Sequence, residues 1–404
     1  MGQQIGCVGA GSYPAKNFEG YTAGRTNTGG SDAGRFNEGP RPSIAPLLHW
    51  LSFMSTEQRF FVKQLAGEKP PSLETMRALW AASSKLLERK PWTRMGDAEL
   101  VMVKNPENGE FCYCCVMGAL GEVFCLHVFV GPEGYSTFDA IQSGDPQLVD
   151  YIYAISRGVA VELVPAGTLD PADKELHRAL VGPVKKGAGS LQFRSLRPGF
   201  LPWYVNEQEA RLLAHCVNAV NAVMDILDKN PKAPLWTRQG RYALMEPDGD
   251  GFKFAGATKP VSTLPGATPS AIDRARVEAI RKRKFPPDGT VELDSFYSQA
   301  TIGMKHERKA LILLALAVDA NNGFVYAPGM GTGKTQGELL ADTLLKTVES
   351  IKAIPVEVHL SSHEHKAELE PLAAELGIKL KLRKSLPALE DAKESILGVF
   401  NQAR

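Results

Sequence analysis

The chain has almost no charge of either sign to spare. Across 404 residues, 46 basic side chains stand against 45 acidic ones, a net charge of +1. That balance supplies no global pull toward nucleic acid or an anionic membrane. Long apolar runs are missing as well. The longest, Leu311 to Val318, falls well short of the ~20 residues a bilayer-spanning helix needs. The opening residues MGQQIGCVGAGSYPAK contain no continuous apolar stretch of the kind a secretory signal carries. Gly6 stands where the myristoylation pattern requires Ser or Thr. Cysteine is scarce: Cys7, Cys112, Cys114, Cys115, Cys125 and Cys216 are the full set of 6. Three crowded into residues 112–115 do not make a usual disulfide framework for so long a chain. Together these absences point to the cytoplasm. What is present, 44% hydrophobic and 23% charged residues, matches a soluble globular protein. It excludes collagen, coiled coil and wholesale disorder, and the length suggests two to three domains.

Residues 1–44 are rich in Gly, Asn, Ser and Thr without an apolar period, and read as a disordered or loosely attached tail. A first domain is expected over 45–230. Ser55 to Gln58 reads as a capping box, and Pro70-Pro71-Ser72 caps a helix carrying Leu79, Trp80, Leu86 and Leu87. From Asp97 the apolar period drops to two, giving strands at 99–104, 110–117 and 122–129 with turns at 105–109 and 118–121, and a further strand at 158–164. Asn206 and Glu209 form an N-cap and N3 pair for a long amphipathic helix with Ala210, Leu213, Ala214, Val217 and Val220 on one face. Residues 231–289 hold a small strand pair (241–245 and 252–255), a Pro/Thr/Ser linker and a short basic helix ending in Arg281 to Lys284. That basic run reads as a solvated helix end, with phosphate contact as the rarer alternative. Residues 290–404 alternate strand and helix, as a partly parallel sheet does.

Two stretches resemble known families. The first combines Trp92 to Leu100, the strand-turn-strand YCCVMGALGEVFCLHVFVGPEGY and RSLRPGFLPW (Arg194 to Trp203). It is similar to an uncharacterised bacterial domain family with a VMGALGE hairpin and a PGxxPW turn before a long helix. The second, AVDANNGFVYAP, VEVHLSS and LEPLAAELGIKLKLRKSLPALEDA within residues 289–403, resembles a second uncharacterised family that accompanies the first. The expected fold is therefore an α+β N-terminal domain with an antiparallel sheet, followed by a three-layer α/β domain. Asp319 at a strand end before a hairpin gives that domain a ribonuclease H-like order as one form. Such nucleases need several carboxylates converging on Mg²⁺, and here Ser361 and Ser362 hold the second strand position. Taken alone, Asp319 reads as a turn starter.

The sharpest chemical motif is Ala327 to Thr335, APGMGTGKT. Gly331, Gly333, Lys334 and Thr335 match a phosphate loop, in which backbone N–H groups wrap phosphates, Lys reaches the β/γ-phosphates and Thr holds Mg²⁺. Pro328 occupies the place of the first Gly. An antiparallel return of 324–327 would put Asp319 on the order of 15–20 Å from the loop. If Ala119-Leu120 centre the hairpin turn, Cys114 faces Cys125 and Cys112 faces His127. All four then share one sheet face as zinc-compatible ligand types. His359, His363 and His365 cluster after a strand, where Ser361-Ser-His-Glu364 reads equally as a helix start. No cofactor is required by this pattern, and the alternative is Mg-ATP or Mg-GTP. The sequence thus favours a non-catalytic binding or interaction module without membrane or clear nucleic-acid signals, with a protein partner in view. The competing class is a nucleotide-binding protein using 328–335.

Overall fold

The computed structural model describes residues 58–143, 155–185, 187–237, 240–260, 270, 272–332 and 335–402. The expected tail over 1–44, the Ser55 capping box and most of the Pro/Thr/Ser linker lie outside the described residues.

The first domain is built on a seven-stranded sheet in the order β5-β4-β3-β2-β1-β6-β7. Its strands are β1 (Val101–Lys104), β2 (Phe111–Met117), β3 (Phe124–Val130), β4 (Gly158–Pro165), β5 (Gly189–Leu196), β6 (Tyr242–Asp248) and β7 (Gly251–Thr258). Neighbours pair antiparallel except β1 and β6, which run parallel. The strand pair expected near 241–255 is present and forms one edge of this sheet. Helices α1 (Leu73–Glu88) and α4 (Glu207–Lys229) pack on one face against Cys112, Cys114, Val116, Val161 and Phe193. Helix α2 (Gly131–Gln142) covers Tyr113, Cys115 and Phe129 on the other. α3 (Pro171–Val181) adds Leu176 to the main core. The period-3.6 stripe of α4 buries Leu213, Val217, Val220 and Met224, worth about 1.5–3 kcal/mol for each full-sized side chain. Its start is the expected capping box. Asn206 accepts from the Glu209 N–H at 2.8 Å, and Glu209 accepts from the Asn206 N–H at 2.9 Å.

The hairpin register differs from expectation. Cys114 lies opposite Val128 and Cys112 opposite Val130, while Met117 faces Cys125 and Cys115 faces His127. The turn is not a two-residue tip at Ala119-Leu120. β2 ends at Met117 and β3 resumes at Phe124. Gly118 sits at φ +142° against Trp92 and Phe124, where a Cβ would come within 2.9 and 2.8 Å of those rings. The odd-numbered slip turns the faces over. Cys112 and Cys114 enter the α1/α4 core with Cys216, whereas Cys115, Cys125 and His127 lie on the opposite face. The four-ligand set of Cys112, Cys114, Cys125 and His127 is therefore not assembled.

The second domain carries a five-stranded sheet in the order β10-β9-β8-β11-β12. β8 (Thr290–Ile302), β9 (Ala310–Asp319) and β10 (Val325–Gly331) are antiparallel, and β11 (Glu357–Leu360) and β12 (Lys379–Leu382) run parallel to β8. Helices α5 (Arg274–Arg283), α6 (Gln336–Ile351) and α7 (His363–Leu376) bury one face. α8 (Pro387–Gln402) buries the other through Leu389, beside Leu386 at its start. This is the expected three-layer arrangement. The central strand β8 stands before the strand that the sequence pattern made first.

The domains meet where the RSLRPGFLPW segment touches the β8–β9 connection. Leu201 N–H donates to Lys309 O at 2.9 Å, and Leu311 N–H to Gly199 O at 2.8 Å.

His127 gives the first sheet a pH signature. Its Nε2 has no hydrogen-bond partner among the described residues, its ring stacks on Phe129 at 4.1 Å, and burial lowers its pKa to about 4. The unfolded chain binds a proton near pH 6.5 that the folded chain refuses. Stability present above that pH is therefore lost as pH falls toward 4, at up to about 1.4 kcal/mol per unit. Urea unfolding at pH 7 and pH 5 should show this loss, and His127→Phe should flatten it. Equal acid slopes in both proteins would refute the assignment.

Candidate functional site

β8 leads to β9 on one side, and the chain returns through α6 to β11 on the other. In open α/β sheets ligands bind at the carboxyl ends of strands at such a switch point. The residues at this one are Asp294 on β8, Ser361 just past β11, and His365 in the first turn of α7. Asp294 Oδ2 accepts from the Ser361 hydroxyl at 2.8 Å, and its Oδ1 accepts from the Ser295 N–H at 2.8 Å. His365 Nδ1 stands 2.9 Å from Asp294 Oδ1, and His365 Nε2 is 3.5 Å from Ser295 Oγ.

Carboxylate, imidazole and hydroxyl thus follow in the order a nucleophilic triad uses. Ser295 is 6% exposed and His365 8%, so both side chains are largely enclosed by the fold. The cluster is a polar bolt between β8 and α7, in which His365 Nδ1 lies close to Asp294 without hydrogen-bond geometry. Glu292 does not reinforce Asp294 as a metal ligand, because its Oε2 accepts from the Leu389 N–H at 2.9 Å on the α8 side.

The histidines diverge. His359 Nε2 lies 3.4 Å from both Glu357 Oε2 and Arg383 Nη2, His363 is exposed and His365 turns inward. The helix start is real, with Ser362 rather than Ser361 as the N-cap, accepting from the Glu364 and His365 N–H groups. Among the described residues no group of three His, Cys, Asp or Glu side chains could hold a metal ion.

The glycine-rich segment is mostly strand. Pro328 to Gly331 continue β10, with Pro328 opposite Leu316 and Gly331 opposite Leu313. Gly333 and Lys334 lie outside the described residues. Thr335 N-caps α6 in a capping box. Its Oγ1 accepts from the Glu338 N–H at 3.2 Å, and Glu338 Oε2 accepts from the Thr335 N–H at 2.9 Å. A second carboxylate crowds the same helix end, since a Cβ on Gly337 would stand 2.9 Å from Glu368 Oε2. Burial raises the Glu368 pKa.

Asp319 pairs with Val291 at the far end of β9, six positions from Leu313 and about 20 Å away. Its Oδ1 accepts from the Asn321 and Asn322 N–H groups at 2.8 and 3.2 Å, the expected turn-starting bonds. The Tyr326 hydroxyl donates to its Oδ2 and lowers its pKa.

In the first domain a polar cleft of about 470 Å³ opens between the starts of α1 and α4, flanked by Arg59, Lys69, Glu74 and Arg211. The Glu207 carboxylate accepts from the Ser72 N–H, the Thr75 hydroxyl and Arg211 Nε, each at 2.8 Å.

Asp294 escaped sequence reading because β8 was not recognised. Val291 and Leu293 alternate with Glu292 and Asp294, so a period-two signal existed.

Fold and site define a two-domain protein, a helix-backed mixed sheet followed by a three-layer α/β unit. Residues 77–244 match the family model described as Domain of unknown function (DUF7309), and residues 276–397 match Domain of unknown function (DUF6930). The chain joins a domain of each of these two families. No curated protein matches it. Among solved structures, a chain in the cryo-EM structure of the simian T-cell lymphotropic virus intasome in complex with PP2A regulatory subunit B56 gamma is similar at 14% identity, with a TM-score of 0.21. That match covers 34% of this chain and 44% of the other, under half its length, and a likeness of this size carries no argument.

Removing the bolt should loosen the second domain. Asp294→Ala takes the acceptor from Ser361 and the Ser295 N–H, and the charge from beside His365. Urea unfolding at pH 7 should register a loss of about 1–3 kcal/mol. A change under 0.5 kcal/mol would show that these bonds are not structural.

Proposed function

We propose that the protein is a non-catalytic binding or interaction module of the cytoplasm, with a protein partner as the expected ligand class. The observation that carries this reading is the state of Asp294. The Asp294 carboxylate at the switch point has both oxygens engaged by Ser295 and Ser361, which suits a fixed structural contact better than a metal-dependent reaction. The strand order of the second sheet, with three antiparallel strands followed by two parallel to the first, supports a ribonuclease H-like relative without its acidic set. The two carboxylates at the start of α6 work against a phosphate docking there. Five buried free thiols, Cys112, Cys114, Cys115, Cys125 and Cys216, suit a reducing compartment. The apolar face of α4 is used up in the core of the first domain.

Mg-ATP, Mg-GTP and Mg²⁺ alone, at millimolar concentration, should leave the melting temperature within about a degree of the free protein. A ligand at one hundred times its dissociation constant would add ~2.7 kcal/mol. A rise of several degrees that disappears in Lys334→Ala would overturn the proposal in favour of nucleotide binding. Mg²⁺-dependent phosphate release or nucleic-acid cleavage abolished by Asp294→Asn would overturn it in favour of catalysis.

A further inference from the structure

We infer that the Ser195 hydroxyl and the Arg308 guanidinium form a latch that makes the two domains unfold as one unit, independently of what the protein binds. Ser195, on β5, is fully buried. Its Oγ donates to Glu209 Oε1 at 2.7 Å and accepts from Arg308 Nη2 at 2.8 Å. Arg308 belongs to the β8–β9 connection of the second domain, and its Nη1 also reaches Ser195 O at 3.4 Å. One oxygen therefore joins the start of α4 to the second sheet.

The surrounding charges make this contact specific. Arg197 grips Glu68 through two bonds of 2.9 and 2.6 Å and Glu209 through two of 3.2 and 2.8 Å. Glu68 also accepts from Asn206 Nδ2 at 2.6 Å. Both carboxylates are thus held by first-domain donors. Among the described residues no carboxylate lies within ion-pair reach of Arg308, whose side-chain hydrogen bonds go to Ser195. Burial, and then the neighbouring Arg197, push the Arg308 pKa down to about 10. Glu209 and Glu68 offset part of that opposition from a distance, while the hydrogen bonds of the guanidinium go to Ser195. The backbone bridge between Phe200 and Ala310 fixes the approach, and the latch closes it.

The distribution of tryptophan supplies the test. Trp50, Trp80, Trp92, Trp203 and Trp236 all precede the second domain, so tryptophan fluorescence reads the first domain while far-UV circular dichroism reads both. In urea the two traces of the unaltered protein should coincide. In Arg308→Met and in Ser195→Ala they should separate, the dichroism showing a second step, whereas Lys305→Met at a neighbouring exposed position should keep them together. The double variant should shift the midpoint no further than the worse single variant, as residues sharing one bond do. Separate traces in the unaltered protein, coincident traces in both single variants, or strictly additive midpoint shifts would each overturn the latch. If Arg308→Met does not fold, Arg308→Lys, which keeps the charge and loses the fork, should show a smaller separation, and none would refute it.

Discussion

Glu209 is the carboxylate on which the arrangement of this molecule hangs. It closes the first turn of α4, receives the Ser195 hydroxyl from the sheet and receives Arg197 from the segment that turns toward the second domain. Hydrogen bonds to charged groups are worth about 1.5–3 kcal/mol each when their partners stay in place. Here one residue serves three purposes, so their loss would not be independent. The sequence RSLRPGFLPW makes sense in these terms. Arg194 grips Asp173 at 2.5 Å, Ser195 and Arg197 meet Glu209, Gly199 pairs with Leu311, and the Trp203 indole donates to Gln64 O at 2.8 Å. A short stretch binds its own sheet, its own helices and the next domain.

Local chemistry was legible in advance and distant chemistry was not. The Asn206/Glu209 box, the Asp319 turn and the alternation of β1 to β4 depend on residues a few positions apart, and the structure holds them as expected. β5 was hidden because its end doubles as the turn segment. The β2–β3 register depends on Trp92 lying against Gly118, a contact no spacing rule reveals. The Asp294–His365 pair joins a strand to a helix reached only after three further strands and α6 have intervened. The glycine-rich segment shows the opposite failure, in which a pattern associated with phosphate loops is built largely into an edge strand.

The second domain separates its charges by the polarity of its helices. Arg281, Lys282 and Arg283 fill the last turn of α5. Arg281 Nη2 and Nε reach Glu375 O in the last turn of α7 at 2.6 and 3.2 Å, and Lys282 pairs with Glu278 at 2.9 Å. Cations at helix C-termini answer the partial negative charge of unpaired carbonyls, as this basic run does at the end of α5. α6 and α7 begin with Glu338 and Glu364 in their first turns, the matching arrangement for the positive ends.

The five described cysteines all sit in the first domain and all are buried. A thiol reagent cannot reach them while the sheet is closed, and a thiol reacts only once it is exposed and ionised. Alkylation of these sulfurs is therefore a clock for transient opening of the first sheet, blind to the second domain, whose described residues contain none. Cys112, Cys114 and Cys216 report separation of α4 from the sheet, while Cys115 and Cys125 report exposure of the opposite face. The order in which the two groups acquire label would tell which side of the sheet breathes first.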